Sequence, residues 1–207
     1  MMLTIDTSGT LSGLAITDGQ RVLAELQWQS GRRHSEQVLP QLDALCRLVE
    51  ITPQQIGHIA VALGPGSWSG IRVGISIAKG LTLATDATII GVASLDAIAW
   101  SHRGNECQAV IALGRGRYAV ATYPATDWAP GSISATNVAV IEPLTSGPLL
   151  CDSDTAAAIH IVHPTVTPHI IWPRPLTYAQ IAAALLRQPA PTPFTCEPIY
   201  LGDPVQR

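Results

Sequence analysis

The sequence predicts an α/β protein built as two lobes, and three observations carry that prediction. The chain opens with three short apolar segments in which a hairpin signal separates the second from the third; the run Gly64 to Gly74 places glycine, proline and serine between an apolar strand and a long apolar helix pattern; and only three of the 16 prolines precede residue 103. An opening hairpin makes an antiparallel meander, which argues against the βαβ start of a dinucleotide-binding fold.

Leu3 to Ser8 reads as a buried strand, Leu11 to Thr17 as a second, and Arg21 to Gln29 as a third, with Val22, Ala24 and Leu26 alternating against polar neighbours. Asp18-Gly19 is the expected two-residue turn between the last two. Val38, Leu39, Leu42, Leu45, Cys46 and Val49 then recur at helical spacing, with Pro40 predicting either a kink or a helix start close to it. Thr52-Pro53 opens a short helical turn, His58 to Leu63 is a strand, and the helix after the glycine loop runs to about Ala84. Thr88 to Val92 is the next strand, and Ser94 is placed to cap a helix over Ser94 to Ser101.

The lobe boundary is expected at His102 to Asn105, giving lobes 1–103 and 104–207. Cys107 to Leu113 and Arg117 to Tyr123 form a hairpin about Gly114-Arg115-Gly116, and Leu176 to Arg187 is the late helix. Prolines 143, 148, 164, 168, 173 and 175 break up the rest, so the second lobe is expected to be small and irregular. No internal sequence repeat is visible.

Composition narrows the function. With 47% hydrophobic and 13% charged residues the chain is a packed globule. The net charge is −3 and Lys79 is the only lysine among 12 basic residues, which disfavours unaided binding along a phosphate backbone. Cys46, Cys107, Cys151 and Cys196 lie far apart with no C-x-x-C pair, so neither a zinc knuckle nor a redox dithiol is indicated and a reducing compartment is the simplest home. No secretory leader and no membrane-spanning run is read, and a cytoplasmic location is expected.

Two strand-end loops are candidates for phosphate contact. Asp6, Thr7 and Ser8 offer a carboxylate and two hydroxyls, and Gly64, Pro65, Gly66 and Ser67 can cradle an anion at a helix start, although a Walker lysine is missing. Both sets also have a plain structural use, closing turns and capping a helix. His34 is followed one helical turn later by Val38, so a two-histidine metal pair is not formed; His160 and His163 are read as surface or packing residues. No catalytic nucleophile is indicated.

Taken together, Thr4 to Ser8, His34-Ser35-Glu36 with Leu39-Pro40, the run Gly64 to Gly74, Ala78 to Leu81 and Gly91 to Leu95 resemble the TsaB (YeaZ) family. The likeness is strong to about residue 100; beyond it only Arg115 to Tyr118 and Pro198 to Leu201 look similar, and an acidic residue common before the arginine-glycine pair is replaced by Ala112. The resemblance implies an actin-like, Hsp70-like ATPase (ribonuclease H-like) fold whose first lobe is βββαβα. It also implies a non-catalytic scaffold in the formation of N6-threonylcarbamoyladenosine in tRNA, beside a catalytic TsaD-like paralogue and a TsaE-like ATPase. Nucleotide (ATP or ADP) and metal are then expected on those partners, the Asp6 and Gly64 loops become vestigial, and tRNA is met through the complex. First-lobe helices are implied as the contact in a homodimer or with the paralogue. The partner face would take Val38 and Leu42 from one helix and Gly70, Arg72, Gly74, Ser76, Ala78 and Lys79 from the next. The rival readings are an autonomous nucleotide-binding phosphotransferase of the same fold and, with less support, a glycoprotease-type peptidase.

Overall fold

The computed structural model describes residues 1–31, 33–142, 147–172, 174–188 and 196–201. Two five-stranded mixed sheets follow one plan. In the first, β1 (Met2–Asp6), β2 (Leu11–Asp18) and β3 (Arg21–Gln29) form the meander; α1 (His34–Leu48) leads to β4 (His58–Gly64), and α2 (Trp68–Thr85) leads to β5 (Thr88–Ala93). The spatial order is β3-β2-β1-β4-β5, with β4 parallel to both β1 and β5. After α3 (Ser94–Ala99), the second sheet repeats the plan with β6 (Cys107–Gly114), β7 (Arg117–Tyr123), β8 (Thr136–Val138), β9 (Leu149–Cys151) and β10 (His169–Ile170). Its order is β10-β9-β6-β7-β8, the same arrangement of first to fifth strand. Helices α4 (Ser153–Val162) and α5 (Pro175–Leu186) follow β9 and β10.

Alternation along the strands sorts side chains onto two faces of each sheet. Leu3, Ile5, Ile59 and Val61 point into a core with Val38 and Leu42 of α1 and Ile71, Ile75 and Ala78 of α2. Met2, Ala60 and Ala62, one residue out of phase, meet Tyr178, Ile181 and Ala182 of α5. In the second sheet Ala109, Ile111, Ala119 and Tyr123 pack with Leu95 and Ile98 of α3, while Val110, Tyr118 and Val120 pack with Ile159 of α4. The central layer between the sheets is therefore α3 with α5.

Several expectations are corrected. The second half is not irregular; its strands β8, β9 and β10 are two or three residues long, too short for alternation to register. The stretch holding His160 is helix α4, capped by Asp152, whose carboxylate accepts from Thr155 N–H at 2.6 Å. The strands divide where composition changes, but the helices do not: α5, from the second half, lies on the first sheet, and α3 packs on the second. Glu25 of β3 holds the start of α5, pairing with Arg174 and accepting from Leu176 N–H at 2.9 Å. Residues 104–207 thus contribute a helix to the first sheet. Pro40 lies inside α1, which begins earlier, at His34. The first hairpin turn is Gly19-Gln20, because Asp18 still pairs with Arg21. Ser94 is the first residue of α3, and Ala93 occupies the cap position.

Candidate functional site

The two predicted loops meet, and they are occupied with each other. Ser67 N–H donates to the Ser8 carbonyl at 2.6 Å, and Thr7 Oγ1 donates to the Gly70 carbonyl at 2.7 Å. A Cβ on Gly66 would stand 2.3 Å from Ser8 O, and one on Gly70 would stand 2.0 Å from Thr7 O, so glycine is required for the backbones to touch. Ser67 caps α2 by accepting from Gly70 N–H at 3.3 Å. Asp6 accepts from the Ser8 amide at 2.9 Å and the Ser8 hydroxyl at 2.7 Å, closing its own turn. A hollow that could have cradled phosphate is filled by the chain.

Beside this junction lies the cleft between the lobes, a cavity of about 60 Å³ lined by Asp6, Ser94, Asp152, Asp154, Trp172 and Tyr178, among others. Thr10 Oγ1 donates to Asp154 across it, tying the first lobe to the start of α4. Burial raises the Asp6 pKa above the ordinary carboxylate value; the Ser8 groups and Tyr178 oppose the shift, and Asp152 adds to it. Burial, and then the Asp6 charge, push the Tyr178 phenol well up. Carboxylates line it from both sides, Asp6 on the first sheet and Asp152 and Asp154 at the start of α4, so a phosphate without a neutralising cation would be repelled there. The sequence neighbourhoods of Asp152, Asp154 and Tyr178 do not mark them as the far wall of this cleft; only the crossing of α5 onto the first sheet brings Tyr178 opposite Asp6.

The expected partner-face residues separate into two groups. Val38 and Ala78 are fully buried, Leu42 is 5% exposed, and Gly70 and Gly74 are buried, the latter with Thr7 Oγ1 at 2.5 Å from where a Cβ would be. Those five pack inside this chain, because the small-residue stripe of α2 faces its own sheet. Arg72, Ser76 and Lys79 lie on the exposed face of α2. Leu39, counted in the apolar stripe of α1 from sequence, lies instead on the outer surface, where it is joined by two residues that sequence reasoning missed, Leu48 on α1 and Leu83 on α2, the last 90% exposed. The signal that could have found these two is their place off the core-facing stripe of each helix.

His34 is buried with Nδ1 2.9 Å from Ser12 Oγ and 3.0 Å from Ser30 Oγ, and burial lowers its pKa. It pins the start of α1 to β2. His163 packs against the Tyr118 ring, with centroids 6.2 Å apart, while His160 is exposed. Among the described residues no helix is long and apolar enough to cross a membrane.

Residues 27–123 match the family model described as TsaD, tRNA N6-adenosine threonylcarbamoyltransferase. The chain is 35% identical over 102 residues to the tRNA threonylcarbamoyladenosine biosynthesis protein TsaB of Bacillus subtilis, covering 49% of this chain and 44% of that one. It is 31% identical over 106 residues to the Escherichia coli protein of the same name, covering 50% and 46%. The chain therefore spans just under half the length of these curated relatives. In fold it is similar to YeaZ from Pseudomonas aeruginosa, with a TM-score of 0.77 at 18% identity over 97% of this chain and 99% of that one. In the sequence of its first half the chain is thus similar to TsaB proteins, and in its fold throughout it is similar to YeaZ.

Proposed function

We propose that this chain is a non-catalytic subunit in the formation of N6-threonylcarbamoyladenosine in tRNA. In this reading it docks on a TsaD-like paralogue that carries the transfer chemistry, with a TsaE-like ATPase joining the assembly. Nucleotide and metal belong to those partners. The observation that carries the reading is the closed junction of the two loops in a chain whose first half is similar to TsaB: Ser67 N–H donates to Ser8 O, and Asp6 accepts from the Ser8 amide. With these loops packed on each other, the outer surface is left for a partner.

That surface is the exposed side of α1 and α2, which touch one another. Leu48 is 74% exposed and Leu39 50%, in reach of a partner but outside the core. Burying a leucine side chain contributes roughly 1.5–3 kcal/mol, so three of them can anchor a helix-on-helix contact. Mixing the chain with its paralogue at micromolar concentration should give one co-eluting species on size exclusion, and the pair, but not either alone, should support modification once the ATPase and substrates are added. Separate elution of the two proteins would defeat the reading. Tight binding of ATP and magnesium by this chain alone would favour the phosphotransferase instead.

A further inference from the structure

At the opposite end of α2 from Leu83, three side chains form an exposed stack. The Arg72 guanidinium lies 4.4 Å from the centre of the Trp68 ring, and the Tyr200 ring stacks on Trp68 with centroids 5.9 Å apart and planes inclined by 30°. Trp68 is 58% exposed and Tyr200 46%, so both rings remain in water although neither lobe's core needs them there. The stack is held in place from below. Ser67 caps the first turn of α2, Ile199 N–H donates to Leu63 O at 2.8 Å, and Leu201 O accepts from Asn137 Nδ2 at 3.1 Å. Tyr200 therefore sits between two residues whose backbone is tethered, so the chain that carries the ring is already placed before binding.

On the α2 side the surroundings are cationic and polar, while the segment that carries Tyr200 adds one exposed carboxylate, Glu197. Helix α2 carries Arg72 and Lys79 and no carboxylate in its 18 residues, in a chain whose net charge is −3. Ser69, Arg72, Ser76 and Lys79 are all exposed. Arg72 and Lys79 are separated by about 10 Å along the helix axis, so one extended backbone can meet both. Aromatic anchors of protein interfaces sit among apolar neighbours that exclude water, whereas a ring stack flanked by hydroxyls and cations suits a base with its phosphates.

We infer that the Arg72–Trp68–Tyr200 stack is a landing platform for an unpaired base of single-stranded RNA, with Arg72 and Lys79 meeting the adjoining phosphates. The choice of RNA over other polyanions rests on the proposed role in tRNA modification. The contact is sequence-tolerant, since every base has a π-face and no side chain here is placed to read a base edge. It is also weak and local, as two cations set a small salt slope of roughly −1.4. Leu83 lies about 22 Å along α2 from Trp68 but only about 6 Å from Lys79, so a protein partner at Leu83 would adjoin the phosphate end of the platform and leave the ring stack free.

Fluorescence anisotropy with the full chain and a labelled RNA hairpin bearing an unpaired loop tests this, with a fully paired duplex of the same strand as control. The loop RNA should bind and the duplex should not. Trp68→Ala and Tyr200→Ala should each weaken binding on the order of 10- to 100-fold, Tyr200→Phe should retain it, and Lys79→Ala should reduce the salt slope by about 0.7. Circular dichroism confirms that each variant folds. No binding of loop RNA at low salt, equal binding of loop and duplex, or unchanged affinity in both ring variants would overturn the inference. So would a Trp68→Ala chain that loses the paralogue but keeps the RNA, which would make the stack a protein anchor. Co-elution with the paralogue is read separately: if it persists while RNA binding fails, the platform falls and the subunit role stands, and the converse result removes the role while leaving the platform.

Discussion

The two sheets share one strand order, yet they are dressed differently. Between its third and fourth strands the first sheet carries α1; the connection between β8 and β9 holds no helix among its described residues. The inner faces are alike, each covered by one helix of the central α3–α5 layer. On the outer faces α1 and α2 cover the first sheet, and α4 covers the second. The extra helix of the first lobe does two things: it buries Val38, Leu42, Leu45 and Cys46 on the sheet, and it presents Leu39 and Leu48 to the outside. The match to the TsaD family model, over residues 27–123, takes in both α1 and α2.

The comparison can be broken or sharpened by substitutions on the two sides of the same helices. The largest effect is expected on the inner side of α2. Gly70→Ala drives a Cβ to within 2.0 Å of the Thr7 carbonyl, a clash with backbone that cannot swing away. It should cost about 3 kcal/mol or more, read as a lower urea midpoint at unchanged slope. Gly74→Leu belongs with it, because its Cβ would stand 2.5 Å from Thr7 Oγ1 with Ile5 and Val61 close behind, so it perturbs the core rather than the surface. Next, Leu42→Ala on the inner side of α1 should cost about 2–3 kcal/mol, whereas Leu48→Ala on the outer side of the same helix should stay within roughly 0.5 kcal/mol. Equal losses in the two would abolish the distinction between core and partner surface.

A smaller effect concerns the cleft where the lobes meet. Because burial raises the Asp6 pKa in the fold above 3.8, the native state holds a proton that the unfolded chain releases. Its contribution is fully present below that value and is lost as pH rises through the folded pKa. Asp6→Asn keeps an oxygen to accept from both Ser8 groups and removes the charge. The melting temperature of the variant should gain on the native chain as pH rises from about 4 upward; a constant difference would mean that Asp6 does not titrate anomalously. Smallest of all, Gly80 is exposed on α2 with no atom within 4 Å of where a Cβ would stand, so Gly80→Ala should raise stability by about 0.5–1 kcal/mol. Opposite signs at Gly70 and Gly80 would map the buried and free sides of one helix.

The first lobe is legible in sequence because its strands are long enough for periodicity to speak: Arg21–Gln29 matches its predicted span, and α2 differs from its expected end by one residue. Periodicity fails for strands of two or three residues and for α4, whose Ala-rich first turns carry little amphipathic contrast. The phosphate loops are visible as a pair, but their chemistry is not settled by sequence, since the same Asp6-Thr7-Ser8 and Gly-Pro-Gly-Ser residues bind anions or close turns according to what faces them. What faces them is each other and, from α5, Tyr178. The stripe Gly70, Gly74 and Ala78 is equally open to a partner or to the home sheet, and burial decides for the sheet.

Calorimetric titration of the chain into the proposed partner, a TsaD-like protein, is the deciding measurement, using the native sequence and a variant with Leu48→Glu and Leu83→Glu. The account predicts a saturable complex for the native chain and at least a roughly tenfold rise in Kd for the variant, with its melting temperature unchanged. An unchanged Kd in the folded variant would contradict the claim that the outer face of α1 and α2 is the working surface of this protein.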